Sequence, residues 1–204
     1  VTMTKSGTVD ENAPGSYTLT YNAIDGAGNV ATPVTRAVVV ADTIAPQIIL
    51  LGSPEMNVLF NGTFTDPGSS VSDIFESGLT AIVTGSVDTS VTGIYTLAYN
   101  VSDGAGNTAT EVKRTVHVVD QDGPVIVLNG RGSVNHEAGI HYEDAGATAT
   151  DNVDGALSVT STSTVDTETP GTYTVIYNAS DNEGNAATLV TRTVVVADTR
   201  SERA

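Results

Sequence analysis

The side chains best suited to chemistry in this chain are oxygen donors in three short stretches. They are Asp120 and Asp122, then Asp151, Asn152 and Asp154, then Asp181 and Asn185. Carboxylate and amide oxygens are hard ligands, and a shell of roughly six to eight of them is what Ca²⁺ takes. A second set, Asp42, Asp73, Glu76, Asp103 and Asn107, repeats the pattern 78 residues earlier. It is the weaker of the two, because Ile44 stands in place of Asp122, and Ile74, Phe75 and Glu76 replace Asn152, Val153 and Asp154. The same residue types have a second use. Asp-Gly and Gly-Asn pairs suit tight turns, since Gly and Asn tolerate positive φ, so DGAGN at Asp25 and at Asp103 also reads as turn chemistry alone. Both readings stand at this stage.

Catalytic arrangements are not visible. His136, Glu137 and His141 are spaced H-E-x-x-x-H, one residue too long for two zinc ligands on one helical face. On a strand, an odd separation puts the two histidines on opposite faces. There is no cysteine, which removes thiolate catalysis and sulfur-ligated zinc. No nucleophile elbow, P-loop or dinucleotide fingerprint occurs. An enzyme needs one asymmetric site, whereas the acidic positions here recur, so no catalytic residue and no enzymatic activity are expected.

What must position these residues is a repeat. The stretch Pro14 to Asp42, PGSYTLTYNAIDGAGNVATPVTRAVVVAD, returns from Thr92 to Asp120 and again from Pro170 to Asp198. Tyr17, Tyr95 and Tyr173 stand 78 residues apart each time, and no gap is needed to align the copies. A fixed period of this kind marks an array of equivalent modules. The predicted organisation is 1–42, the C-terminal half of a module; 43–120, a module; 121–198, a module; and 199–204, a tail. The tail replaces the start of a fourth module, so the array is expected to end there. Because the chain opens at Val1 rather than Met, it is expected to be a processed or excised piece. The joints VVVADTIAP and VHVVDQDGP run from a β-branched strand through Asp into Pro, which predicts short, stiff connections rather than Gly/Ser linkers.

Composition narrows the partners. Against 8 Lys plus Arg there are 24 acidic residues, for a formal charge of −16. A field of that sign repels nucleic acid and anionic membrane surfaces, while it suits cations and an extracellular surface. No apolar run approaches the roughly 20 residues that span a bilayer, so no membrane insertion is expected.

The strand pattern is clearest in the third module. Val125 to Leu128 reads as a short apolar strand, His141 to Thr150 as extended chain, and Leu157 to Val165 as one alternating, half-buried strand. Tyr173, Val175, Tyr177 and Ala179 share one face by the two-residue period. Several short strands separated by turns predict an all-β fold of tandem immunoglobulin-like antiparallel β-sandwiches. Gly171 and Tyr173 at the start of a late strand suit a tyrosine corner, in which the phenol bonds back to upstream backbone. In such a sandwich, the loops holding Asp151 and Asp181 and the linker holding Asp120 lie at one pole.

YEDAGATATDNVDGALSV, Tyr142 to Val159, followed by YTVIYNASDNEGNAATLVTRTVVV, resembles the bacterial Ig-like repeats of large extracellular proteins. These are hyalin-repeat-like modules, similar also to an Ig-like domain of an insecticidal crystal toxin. The resemblance covers the third module fully and the second nearly so, departing at SDIFESG, Ser72 to Gly78. It implies a non-catalytic sandwich in a secreted or cell-surface protein. The expected role is a structural or adhesive stalk or spacer, stiffened by Ca²⁺ at its joints. Expected partners are neighbouring Ig-like modules, identical chains docking on the incomplete first repeat, or a surface glycan or protein. An alternative is a subunit of an extracellular fibre, completed between chains at that half-repeat. A carbohydrate-binding module is a further alternative, against which stand the few aromatics (5%) and the absence of Trp.

Overall fold

Val and Thr alternate with small polar residues along most of the chain. Their branched Cβ fits the pleated, half-buried face of a strand better than the crowded turn of a helix. The computed structural model describes residues 1–200, and every regular element in it is a strand. The end of the predicted tail, residues 201–204, lies outside the described residues. Contacts divide the chain into two compact units. The first is Val1–Val58 with Thr63–Asp88 and Gly93–His117; the second is Leu59–Gly62 and Thr89–Thr92 with the chain from Val118 onward.

In the first unit, β1 (Thr2–Ser6), β2 (Gly15–Ile24) and β3 (Val34–Val40) make one antiparallel three-stranded sheet in that order. The next strands are β4 (Gln47–Leu50), β5 (Glu55–Leu59), β6 (Ser69–Ser72), β7 (Ile82–Thr84), β8 (Gly93–Asn100) and β9 (Val112–Val119). β4 pairs with β6, and the other four form a sheet in the order β5-β9-β8-β7. Between these two sheets lies a core of Ile48, Leu97, Tyr99, Val101 and Ala109, with Phe64, Leu79 and Val112 packed against it.

The second unit repeats that plan. Its strands are β10 (Val125–Leu128), β11 (Ser133–Glu137), β12 (Ala147–Asp151), β13 (Gly155–Leu157), β14 (Thr160–Ser163), β15 (Gly171–Asn178) and β16 (Val190–Ala197). One sheet runs β10-β12-β13 and the other β11-β16-β15-β14. Their pairings are antiparallel except that β11 runs parallel to β16. Ile126, Ala149, Val175, Tyr177, Ala179, Ala187, Val194 and Val196 fill the space between the sheets. Tandem Ig-like all-β sandwiches are therefore the fold.

Two details differ from the sequence reading. Leu157 to Val165 is not one strand: the chain leaves the first sheet after Leu157 and enters the second at Thr160, so one alternating pattern serves two sheets. Leu157, Val159 and Val165 still pack on the core, which is why the alternation looked continuous. His141 to Thr150 is extended strand only from Ala147, because Asp144 and Gly146 turn the chain inward first, the Gly146 N–H donating to Asp144 Oδ2 at 2.8 Å.

Candidate metal centre

The three DGAGN-type loops share one construction. Each Asp accepts, at its two carboxylate oxygens, the backbone N–H and the side-chain amide of the Asn four residues on. The distances are 2.8 and 2.7 Å for Asp25–Asn29, 2.7 and 2.7 Å for Asp103–Asn107, and 2.6 and 2.6 Å for Asp181–Asn185. The intervening Gly28, Gly106 and Gly184 sit at φ of 91, 94 and 93°, a region where a Cβ would be strained. Turn chemistry is thus present in every copy. The Asp25 carboxyl is held below its ordinary range by the Asn29 side chain and then by backbone N–H groups. At Asp103, burial opposes the charge, but Asn107 and the neighbouring N–H groups outweigh it.

The loop after β12 fixes a second carboxylate. Asp151 Oδ1 accepts the N–H groups of Val153 (2.7 Å) and Asp154 (3.0 Å), and the Asp154 N–H first, then that of Val153, pulls its carboxyl below the usual range. Asp73 caps the equivalent loop in the same way, through Phe75 and Glu76 at 2.8 and 2.9 Å. The departure at SDIFESG therefore keeps the cap. It does displace the turn: Gly155 has φ of 72° at the mouth of the β12–β13 hairpin, whereas the second module has Ser77 there and its positive φ one residue later, at Gly78. That module has no strand matching β13.

The third carboxylate comes from the linker after β9. Asp120 is 6% exposed, and its Oδ1 accepts the Asp122 N–H at 3.1 Å. Its Oδ2 is buried with no hydrogen-bond partner. Asn185 donates to the Asp120 backbone carbonyl at 3.3 Å while holding Asp181, which ties the linker to the β15–β16 loop. Carboxylate oxygens of Asp120, Asp151 and Asp181 all lie within 4.8 Å of one another. Among the described residues this is the trio of acidic groups so gathered; Asp42, Asp73 and Asp103 are not.

The remaining residues singled out in the sequence take other places. Asp154 staples two loops, accepting from the Asn182 N–H at 2.8 Å and its side-chain amide at 2.6 Å. Glu76 does the same in the second module, taking the Gly104 N–H at 2.5 Å. Both carboxylates therefore hold loops together, and neither belongs to the gathered trio. Asn185 and Asn107 point amide N–H groups at acceptors and so position Asp181 and Asp103. Asp122 and Asn152 line a shallow cleft beside the trio, together with Gly123, Val125, Thr150 and Asp151. Asp42 Oδ1 accepts the Ile44 N–H at 2.9 Å. His136, far from a metal pair, meets the Ile140 carbonyl at 2.8 Å and the edge of Tyr142.

Sequence reasoning missed a buried ionic network that locks each complete sandwich. Arg192 on β16 is 1% exposed and crosses the core. It donates to the carbonyls of Arg131 (3.0 Å), Asn129 (2.7 Å) and Gly146 (3.2 Å) and pairs with Asp144. Asp144 also accepts from the hydroxyls of Tyr177 and, at 2.9 Å, Tyr142. Arg114 repeats this with Asp66 (3.0 Å), Tyr99 and the carbonyls of Ser53, Leu51 and Gly68. The signal was in the sequence: Arg36, Arg114 and Arg192 recur at the module period in a chain otherwise poor in cations.

A family model described as "Bacterial surface protein, Ig-like domain" matches residues 1–40, 48–118 and 126–196. The chain belongs to this family. Its bacterial surface Ig-like modules resemble stretches of Internalin I from two Listeria monocytogenes strains. Identity is 30% over 205 residues for serovar 1/2a and 31% over 206 residues for serotype 4b, covering 92% of this chain and 11% of the relative in each case. An uncharacterized 81.3 kDa protein of Acholeplasma phage L2 is 30% identical over 141 residues, covering 60% of this chain and 17% of that protein. The chain thus spans about a tenth to a sixth of the length of these curated relatives. The first Ig-like match, over residues 1–40, falls on the β1-β2-β3 sheet. There Val38 and Val40 are half-buried and Arg36 is exposed, lying over Tyr21 at 5.8 Å, while their counterparts Val194, Val196 and Arg192 are buried.

Proposed function

We propose that this array of bacterial surface Ig-like modules is a non-catalytic, structural or adhesive stalk or spacer, and that its third module takes up Ca²⁺ through Asp120, Asp151 and Asp181. The observation that carries the cation is Asp120 Oδ2 together with the two carboxylates gathered beside it, since Asp73 Oδ2 is likewise buried and unpartnered but has no such neighbours among the described residues. A carboxylate oxygen buried without a donor, close to two further carboxylates, is unfavourable unless a cation shares it. All three are oxygen ligands, which selects a hard ion such as Ca²⁺ over zinc or copper. The hydrogen bonds already made by Asp151 and Asp181 fix their rotamers, and each carboxylate oxygen keeps a second lone pair for the ion. Bound there, the cation would fasten the segment after β9 to two loops of the third module and offset part of the acidic charge. Support for the stalk role is the family itself and the three modules at one period.

Calorimetric titration of the full chain with CaCl₂ tests the reading. One ion per chain is expected, with Kd of about 10⁻⁴–10⁻³ M, the range of extracellular modules. No heat of binding, together with a melting curve that EDTA leaves unchanged, would remove calcium from the account.

A further inference from the structure

The two complete modules share the aspartates, the Asx-capped loops and the Asn tether, yet only the third brings its carboxylates together. The tether does not separate them, since Asn185 and Asn107 reach the Asp120 and Asp42 carbonyls at 3.3 and 3.4 Å. Nor does the cap, which Asp151 and Asp73 form alike. A difference that bears directly on Asp120 is the residue with which the linker backbone meets the loop after β15. A Cβ added at Gly123 would stand 2.3 Å from the Ala186 carbonyl oxygen, 2.7 Å from its carbon and 3.2 Å from Ala187 N. All three are backbone atoms, so no rotamer change relieves the clash. Gly123 is outside the positive-φ region, so it is required there for contact and not for backbone conformation. The matching residue in the second module is Ala45. It is exposed where Gly123 is half-buried, and it lines the equivalent cleft with Ile44, Gln47, Ser72, Asp73 and Ile74.

We infer that Gly123 is the positioning residue that seats Asp120 among Asp151 and Asp181, and that the methyl of Ala45 keeps Asp42 from joining Asp73 and Asp103. The inference rests on the calcium reading and adds to it a reason for one ion rather than two. It is tested on the full chain by Ca²⁺ calorimetry and by Tb³⁺ luminescence, with circular dichroism to confirm folding. The wild-type chain should bind one ion. Gly123→Ala should weaken that site by roughly 10–100-fold, as loss of a supporting contact does at metal sites. Ala45→Gly should add a second binding event and raise the Tb³⁺ stoichiometry, a gain that a merely structural role would not produce. A folded Gly123→Ala chain that binds like the wild type would overturn the inference. Should Gly123→Ala fail to fold, Ala45→Gly decides: a second ion supports the inference and an unchanged single ion overturns it. If the wild-type chain binds no ion, the calcium reading falls and takes this inference with it, an outcome distinct from one bound ion with both variants unchanged.

Discussion

Replacing Asp144 with alanine should cost the third module about 3 kcal/mol, more than any single surface change in the chain. Arg192 would remain at 1% exposure with its charge, its hydrogen bonds to three carbonyls intact and its counter-ion gone. The hydroxyls of Tyr177 and Tyr142 would lose their acceptor as well. Breaking a buried ion pair from one side costs about 3–5 kcal/mol, because the surviving charge is left uncompensated. The Asp144 side chain is 23% exposed, so water can reach the vacated position and the lower end applies. A domain of this size holds only about 4–12 kcal/mol of stability, so the loss is a large fraction of the total. At about 4–8 °C per kcal/mol, the transition of the third module should fall by about 12–24 °C. Differential scanning calorimetry resolves this, with Asp66→Ala as the matched change in the second module. A shift under about 2 °C for Asp144→Ala in a chain that still folds would refute the claim that the Arg–Asp–Tyr network holds the sheets together.

Three further outcomes follow from the same geometry. Burial works against the Asp144 charge, but Tyr177, Arg192, the Gly146 N–H and Tyr142 outweigh it and hold its carboxyl below the usual range. Such a group adds stability that is present above about pH 4 and is lost as pH falls through the folded value, so the third module should weaken from about pH 4 downward, less steeply in Asp144→Asn, as followed by urea titrations. Tyr173→Phe removes the corner bond from the phenol to the Thr169 carbonyl (2.8 Å) and should cost about 0.5–1.5 kcal/mol in chemical denaturation; Tyr177→Phe, which strips a donor from half-buried Asp144, should cost more. Gly184→Ala, at φ of 93°, should destabilise by about 1–2 kcal/mol without altering the strands seen by circular dichroism.

How much of this was legible in the sequence depends on the range of the interaction. Local patterns sufficed for the repeat, the strand faces and the tyrosine corner, because side-chain alternation and the Gly-x-Tyr spacing act within one strand. Tyr173, Val175, Tyr177 and Ala179 do share the inward face, and the Tyr173 hydroxyl reaches Thr169. Acidic residues, by contrast, have several uses that composition cannot tell apart. Asp120, Asp151 and Asp181 converge, while Asp154 and Glu76 staple loops and Asn185 and Asn107 hold their aspartates. The trio and the two staples join residues 28 or more apart in the chain, whereas the Asn–Asp bonds span only four. The Arg192 network was hidden for a related reason: the two-residue period puts Arg192 on the face of Val194 and Val196, but the carbonyls and the Asp144 carboxylate that receive its charge come from 46 or more residues away. The break at Val159 was invisible because both halves of the pattern face the same core.

Asp120→Asn is the most direct test of the account. In EDTA the change removes one of three gathered charges and gives the buried position an amide that can donate to Asp151 or Asp181, so the variant should melt above the wild-type chain. In about 10 mM CaCl₂ the wild type should gain about 5–20 °C from ion binding while the variant gains little, and the order of the two melting temperatures should reverse. Melting curves of both proteins in both buffers give the answer. A reversal is the expected result; a variant less stable than wild type in EDTA, with no calcium effect on either, would contradict a cation site at Asp120, Asp151 and Asp181.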